Sequence, residues 1–132
     1  MKMKEAHIVP LCSQAIRLLS DFKKYELGSE FLFPSVKSSK IPISDNSVRS
    51  MLRNLGYTND DIVPHGFRAM FSTICHEHIK EHGLEERIIE LCLDHTERNK
   101  VKAAYNHAKN LKERAQLMQW WGDYLARLAP DL

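Results

Sequence analysis

Long hydrophobic runs, paired cysteines and a strong net charge are all missing from this sequence. No apolar stretch approaches the roughly 20 residues of a membrane-spanning helix, and the opening apolar segment is too short for a signal peptide. The three cysteines, Cys12, Cys75 and Cys92, are an odd number without C-x-x-C spacing. A disulfide framework is therefore unexpected, and the sequence predicts a cytoplasmic, membrane-free protein with buried structural thiols.

The net charge of +2 is too small to indicate a partner, but the charges are unevenly distributed. Residues 77–94 are acidic, whereas residues 98–114 carry six basic side chains against one acid, Glu113. A local basic patch attracts phosphate even when the total charge nearly cancels, although an ordinary solvated face has the same composition. The basic side chains are Arg98, Lys100, Lys102, Lys109, Lys112 and Arg114.

The 132 residues, 43% of them hydrophobic, are enough for one compact domain over residues 1–132. Apolar spacing and stop signals predict a mainly α fold with a small N-terminal β element at residues 3–9. Residues 31–34 are expected to form a buried extended stretch, followed by a polar loop at residues 35–42. The predicted helices are residues 13–24, a helix capped by Ser44 and stopped at Gly56, and residues 66–81, 85–93, 99–110 and 111–128.

The last predicted helix is amphipathic. Its apolar stripe consists of Leu111, Ala115, Met118, Trp121, Leu125 and Leu128. Such a stripe packs either into the domain core or against a neighbouring protomer. Trp120 and Trp121 cannot face the same way on a helix, so one of them is expected to be available for a partner.

Residues 78–82 read H-x-x-E-H, the order of ligands and catalytic glutamate in one class of zinc peptidases. His78 and His82 share a helix face and can hold one metal ion, with Glu81 polarising a water. A zinc site also needs a third protein ligand and an open position. The charged flanks Glu77 and Lys80 favour a solvated helix end instead, so we expect no metal or other cofactor.

Residues 65–68 read H-x-x-R and follow Pro64 at the start of a predicted helix. His65 would lie at the helix N-terminus, and Arg68 one turn in on the same side. Free backbone N–H groups and the positive end of the helix dipole favour an anion there. Because a guanidinium grips two phosphate oxygens at once, the motif indicates phosphate binding. A surface arginine at a helix start is the simpler alternative for the motif by itself.

Two further motifs follow H-x-x-R in order, Leu-Asp-His at residues 93–95 and Ala-Tyr at residues 104–105. This ordered set resembles the tyrosine recombinase (phage integrase) family. The lysine-bearing start with His-Ile-Val-Pro-Leu at residues 7–11 is similar to the strand pair of that family. Residues 31–35, 65–69 and 120–125 are similar to its prophage-integrase branch.

The resemblance implies site-specific recombination of double-stranded DNA by a homo-oligomer on attachment sites, without metal or cofactor. Tyr105 matches the nucleophile, which forms a 3′-phosphotyrosine link. Arg68 and His65 match the phosphate-binding pair, and His95 matches a later phosphate donor. Lys2 matches the lysine that protonates the leaving oxygen, less firmly because Lys4 is close by. The side chains expected along the DNA backbone are Lys4, Arg98, Lys100, Lys102 and Lys109.

The family also has an earlier arginine, in a phrase like T-G-x-R ahead of the strand pair, and an N-terminal DNA-clamping domain. This sequence begins after both positions, and Arg17 does not match. We therefore expect a partial catalytic domain, N-terminally truncated, from a longer integrase or a decayed prophage gene. An inactive remnant that binds DNA or assembles without cleaving it is the alternative.

Overall fold

A computed structural model describes residues 7–25, 28–95 and 110–130 of the chain. The chain divides into two compact units, which are described separately. Arg17–Met70 form the middle unit, and Met1–Ile16 with Phe71–Leu132 form the terminal unit. The elements in chain order are α1 (Ser13–Lys23), β1 (Pro34–Ser35), β2 (Ser38–Pro42), α2 (Ser47–Asn54), α3 (Gly66–Glu77), α4 (Ile79–His82), α5 (Glu86–Cys92) and α6 (Leu111–Leu128).

The mainly helical prediction is confirmed, but the sheet lies elsewhere than expected. β1 and β2 form an antiparallel pair in the middle unit, within a segment predicted to be a loop. The loop prediction was wrong because a two-stranded ribbon open to solvent needs no alternating apolar residues. The preceding Phe31 and Leu32 are exposed rather than buried, and the Phe33 ring packs on Phe22, with the ring centroids 5.2 Å apart.

The predicted N-terminal strand is not formed at His7, Ile8 and Val9, and residues 3–6 lie outside the described residues. The backbone carbonyl of Ile8 accepts a hydrogen bond from the Arg114 guanidinium on α6. The acceptor that a neighbouring strand would use is therefore bound to a side chain instead.

Helix α2 begins three residues after the predicted cap. Ser44 accepts the Ser47 N–H through its backbone carbonyl at 2.9 Å, and Asn46 occupies the N-cap position. The end of the helix agrees with the prediction, since Gly56 has a φ of 95° and its N–H donates to Arg53. A left-handed residue after a helix is energetically easiest for glycine, which is why this end was predictable.

The predicted helix over residues 66–81 is divided in two by His78, between α3 and α4. Gly83 ends α4 in the left-handed conformation, as the sequence predicted. Helix α5 is one residue shorter at each end than expected, and its Ile88 and Ile89 are buried. Among the helices within the described residues, none is long and apolar enough to cross a membrane.

The terminal unit is built on the packing of α5 against α6. Its core consists of Phe71, Cys75, Ile88, Ile89, Leu93 and Leu117. Burial raises the pKa of the Cys75 thiol to about 12, so this thiol stays protonated at neutral pH. Cys12 is also buried and Cys92 partly so, and all three are free, in agreement with the sequence prediction.

The buried face of α6 differs from the predicted apolar stripe by about one residue. Arg114, Leu117 and Gly122 are buried, whereas Leu125 and Leu128 are exposed. A hydrophobic pattern assigns an arginine to the solvent side, but here a backbone acceptor on Ile8 allows its burial. Of the predicted stripe, Met118 and Trp121 pack against the core but Leu125 and Leu128 do not, so the stripe prediction is correct only in part.

Gly122 allows the chain around Cys12 to approach α6 closely. A Cβ at this position would come within 2.6 Å of Gln14 Oε1 and 2.7 Å of Cys12 Sγ. Beside it, Gln119 Oε1 accepts the N–H of Ser13 at 2.9 Å, which satisfies a free donor at the start of α1. The N-terminal segment around Cys12 is thus packed and hydrogen-bonded to α6, the last helix of the chain.

The two faces of α6 provide a stability test. We expect Leu117→Ala, at a side chain with no exposed surface, to lower the free energy of unfolding by about 2–5 kcal/mol. Leu128→Ala, at a side chain 67% exposed, should change it by at most about 0.5 kcal/mol. Urea denaturation followed by circular dichroism measures both free energies of unfolding. Equal losses would contradict the observed burial and would mean that Leu128, as the sequence predicts, also faces the core.

Candidate functional site

The loop that leads into the H-x-x-R motif is held by Arg53, on α2 of the middle unit. Its Nη1 donates to the Tyr57 carbonyl at 2.6 Å, and its Nη2 donates to the Ile62 carbonyl at 3.0 Å. The same Nη2 also donates to Asn59 Oδ1. One side chain therefore fixes both ends of the loop, because the guanidinium presents several donors in a rigid plane.

A second set of bonds closes the loop from inside. The Asp61 carboxylate accepts the Thr58 N–H at 2.6 Å and the Thr58 hydroxyl at 2.8 Å. The backbone bond, more than any other contact, lowers the pKa of Asp61. The loop is thus ordered by polar contacts without a hydrophobic core of its own.

His65 and Arg68 lie together at the start of α3. The His65 carbonyl accepts the N–H groups of Arg68 at 3.1 Å and Ala69 at 3.4 Å, so His65 opens the helix as predicted. His65 is exposed and Arg68 half-buried, and within the described part of the chain neither side chain has a hydrogen-bond or ion-pair partner. Among the described residues, the Arg68 guanidinium and the His65 imidazole thus stand without a partner at the positive end of a helix.

His95 belongs to the terminal unit, where it follows the end of α5. Its side chain is half-exposed, and its Nδ1 contacts Glu90 Oε2. A carboxylate accepts hydrogen bonds, so the ring donates through Nδ1 and keeps Nε2 for another partner. This is the arrangement expected of an imidazole that must present one defined nitrogen.

The other predicted site residues lie outside the described residues. These are Tyr105, Lys2, Lys4, Arg98, Lys100, Lys102 and Lys109. The structure therefore brings together His65 and Arg68 in the middle unit, and it describes His95 separately in the terminal unit. The roles of all these residues remain predictions.

The H-x-x-E-H motif has its side chains engaged within the terminal unit. His82 Nδ1 accepts the Leu84 N–H at 3.1 Å, so Nε2 carries the proton that it donates to the Cys75 carbonyl at 2.8 Å. Neither ring nitrogen of His82 retains a lone pair for a metal. Nor do the described residues contain any group of three His, Cys, Asp or Glu side chains placed to hold a metal ion.

The same motif packs α4 against α6. The rings of His78 and His82 lie 5.6 and 5.1 Å from the Trp120 ring, centroid to centroid. Glu81 accepts hydrogen bonds from Arg127 at 3.0 Å and Trp120 Nε1 at 3.4 Å. The motif therefore serves helix docking, and its spacing follows from sharing one helix face.

Both tryptophans of α6 are used inside the terminal unit. Trp120 packs on the histidines, and Trp121 meets Phe71 edge-on, with the ring centroids 5.4 Å apart. The expectation that one of them is left for a partner was wrong. The Tyr124 ring contacts both tryptophan rings. Trp120 and Trp121, which point in different directions, therefore belong to one aromatic cluster.

Sequence reasoning missed Arg53 and Glu90, the two residues that hold the surroundings of the predicted site. Arg53 reaches a carbonyl four residues ahead, beyond the end of its own helix, where no side-chain pattern reveals it. Glu90 precedes His95 by five residues, which is not a helical contact distance. Glu90 and His95 are adjacent only because the chain reverses direction after α5.

Comparison with known proteins gives a single family. The model of the phage integrase family matches residues 1–112 of the chain. The integrase of Enterobacteria phage P4 is 45% identical over 95% of this chain and 28% of that protein. The integrase of Shigella phage Sf6 is 37% identical over 95% of this chain and 31% of that protein.

A third relative, the prophage integrase IntS of Escherichia coli K12, is 36% identical over 95% of this chain and 31% of that protein. The chain thus spans under a third of the length of these curated relatives. No solved structure matches.

The docking role of Glu81 predicts a pH-dependent contribution to stability. Hydrogen bonds from Arg127 and then His78 lower the pKa of Glu81 from 4.5, so its contribution is present above that value and disappears as pH falls through the lowered pKa. Glu81→Gln should therefore have a lower Tm than the parent chain at neutral pH and an equal Tm in acid.

The matched control is Glu77→Gln, which removes the same charge from an exposed position at the end of α3. Melting followed by circular dichroism from acid to neutral pH measures both variants. A gap between Glu81→Gln and the parent chain that is independent of pH would contradict the ion-pair explanation.

Proposed function

The chain belongs to the phage integrase family, and on this premise we propose that it contributes the catalytic residues for site-specific recombination of double-stranded DNA. The observation that carries the proposal is a match to named integrases over 95% of the chain, with the three motifs in family order.

In the proposed reaction, the Tyr105 hydroxyl attacks a phosphodiester. The tyrosine proton passes to His65, a bond forms between the tyrosine oxygen and phosphorus, and the bond from phosphorus to the 5′-oxygen breaks. The leaving oxygen takes a proton from Lys2, or from Lys4 if that lysine is the nearer one. Because the phosphodiester energy is kept in the 3′-phosphotyrosine, a second 5′-hydroxyl reverses the step without ATP.

Arg68 and His65 are proposed to stabilise the charge that develops on the non-bridging oxygens. Their side chains have no partner among the described residues, and both lie at the first turn of a 12-residue helix. Arg68 supplies two parallel donors, whereas His65 supplies one donor and a site for proton transfer. The Arg53 clamp on the preceding loop supports this role, since transition-state stabilisation needs groups fixed beforehand.

DNA binding outside the reacting phosphate is proposed for the basic segment at residues 98–109, together with Lys4. Contacts of this kind are independent of base sequence and weaken as salt concentration rises. A DNA substrate implies a cytoplasmic, nucleoid-associated protein that acts as a homo-oligomer on paired sites. Lys102 and Lys109 are the basic side chains closest in sequence to Tyr105 within that segment.

A covalent DNA adduct is the expected product if the nucleophile is assigned correctly. The native protein that contains this sequence should be expressed in its source cells and precipitated with potassium dodecyl sulfate. We expect bound DNA whose free 5′-hydroxyl accepts a label from polynucleotide kinase without prior phosphatase treatment. Tyr105→Phe should abolish the label, because the attacking oxygen is lost.

The conservative control Tyr124→Phe removes a hydroxyl from a ring packed in the α6 cluster and should leave the adduct unchanged. Equal labelling in Tyr105→Phe would exclude Tyr105 as the nucleophile. Salt-sensitive DNA binding by the parent protein without any adduct would favour the inactive remnant.

Arg68 provides a test of charge stabilisation that does not depend on the nucleophile. Arg68→Lys keeps the positive charge but loses the paired donors, and we expect adduct formation to slow by roughly 100-fold. Arg87→Lys, at an exposed arginine bonded to Glu85, is the matched control and should keep the parental rate. An unchanged rate in Arg68→Lys would remove Arg68 from the site.

A further inference from the structure

The chain reverses direction at the end of α5 and returns over its last turn. Asp94 has a φ of 54°, in the left-handed region that few residues other than glycine adopt. The His95 N–H donates to the Glu90 carbonyl at 3.1 Å, and the Asp94 N–H donates to the Leu91 carbonyl at 3.2 Å. This pair of bonds ends the helix in a Schellman motif, which places the side chains of His95 and Glu90 side by side.

The Glu90 carboxylate lies between two histidines. Its Oε2 contacts His95 Nδ1, and its Oε1 is 3.8 Å from His76 Nε2. His76 is held in turn by Nδ1, which donates to the Ser72 carbonyl at 2.7 Å. Oε2 is thus the Glu90 oxygen in hydrogen-bond contact with a histidine, whereas Oε1 lies near His76 without a hydrogen bond to it.

The neighbouring acids lie against histidines other than His95. Glu86 Oε1 lies 3.4 Å from His76 Nε2, and Asp94 Oδ1 lies 3.4 Å from His7 Nδ1. Neither carboxylate contacts His95. Among these three carboxylates, Glu90 is therefore the one that contacts His95, the residue predicted to bind phosphate.

We propose that Glu90 is a positioning residue for His95. It accepts the Nδ1 proton, fixes that tautomer and leaves Nε2 as the nitrogen that meets the DNA phosphate. When the ring carries both protons, Nε2 donates to a non-bridging oxygen while the carboxylate balances the charge of the imidazolium. The role toward phosphate rests on the function proposed above, whereas the tautomer can be measured without DNA.

The first test is the proton position on His95 in the 132-residue chain. Two-bond proton–nitrogen correlation spectra of the neutral imidazoles distinguish Nδ1–H from Nε2–H, and a His95→Gln spectrum assigns the signal. We expect Nδ1–H in the parent chain and loss of that fixed preference in Glu90→Ala. Glu86→Ala removes the same charge from the same helix and should leave the His95 tautomer unchanged.

An Nε2–H tautomer in the parent chain, an unchanged tautomer in Glu90→Ala or an equal change in Glu86→Ala would each overturn the proposal. Backbone amide spectra of both variants show whether α5 is retained. Alanine favours helix, so we expect neither variant to unfold.

The second test uses adduct formation by the native protein. Glu90→Ala should slow it by about 10- to 100-fold, as is typical when the partner of an active-site histidine is removed, and Glu86→Ala should keep the parental rate. A full rate in Glu90→Ala would overturn the role toward phosphate even if the tautomer changes. If the parent protein forms no adduct, the proposed function fails, and the tautomer result still decides whether Glu90 positions His95.

Discussion

The burial of the Arg114 guanidinium is the constraint on which the terminal unit depends. A charge that is fully removed from water must find acceptors, and Arg114 finds one in the Ile8 carbonyl, 106 residues away in the chain. That bond places the segment before α1 on the surface of α6. On the same helix, Leu117 lies in the core and Leu128 faces solvent. Gly122 then allows Cys12 and Gln14 to approach as closely as they do.

Histidines serve three different purposes in this chain, although their sequence motifs look alike. His82 uses both ring nitrogens on the backbone and is structural. His95 uses one nitrogen on Glu90, and within the described part of the chain its other nitrogen has no partner. His65 uses neither within the described residues and lies at a helix start. The number of free ring nitrogens, rather than the spacing of the motif, separates a docking residue from one available to a ligand.

The surroundings of the predicted site are ordered by polar contacts from residues that themselves carry no predicted chemistry. Arg53 fixes the loop before His65, and Glu90 fixes the ring of His95. Both use short local reversals of the chain, one after α2 and one after α5. This arrangement suits phosphoryl chemistry, in which the protein contributes mainly fixed charge and fixed donors.

The sequence by itself determined the features that depend on neighbouring residues. Apolar periodicity gave α6 its bounds, and Gly56 and Gly83 ended their helices, because helix formation and left-handed caps are local. The order of three motifs was enough to predict the family. Only the tertiary structure decided which face of α6 is buried, where the sheet forms and which carboxylate meets His95. Those outcomes depend on acceptors and charges brought together by chain reversals or from far along the chain, which no periodicity in the sequence encodes.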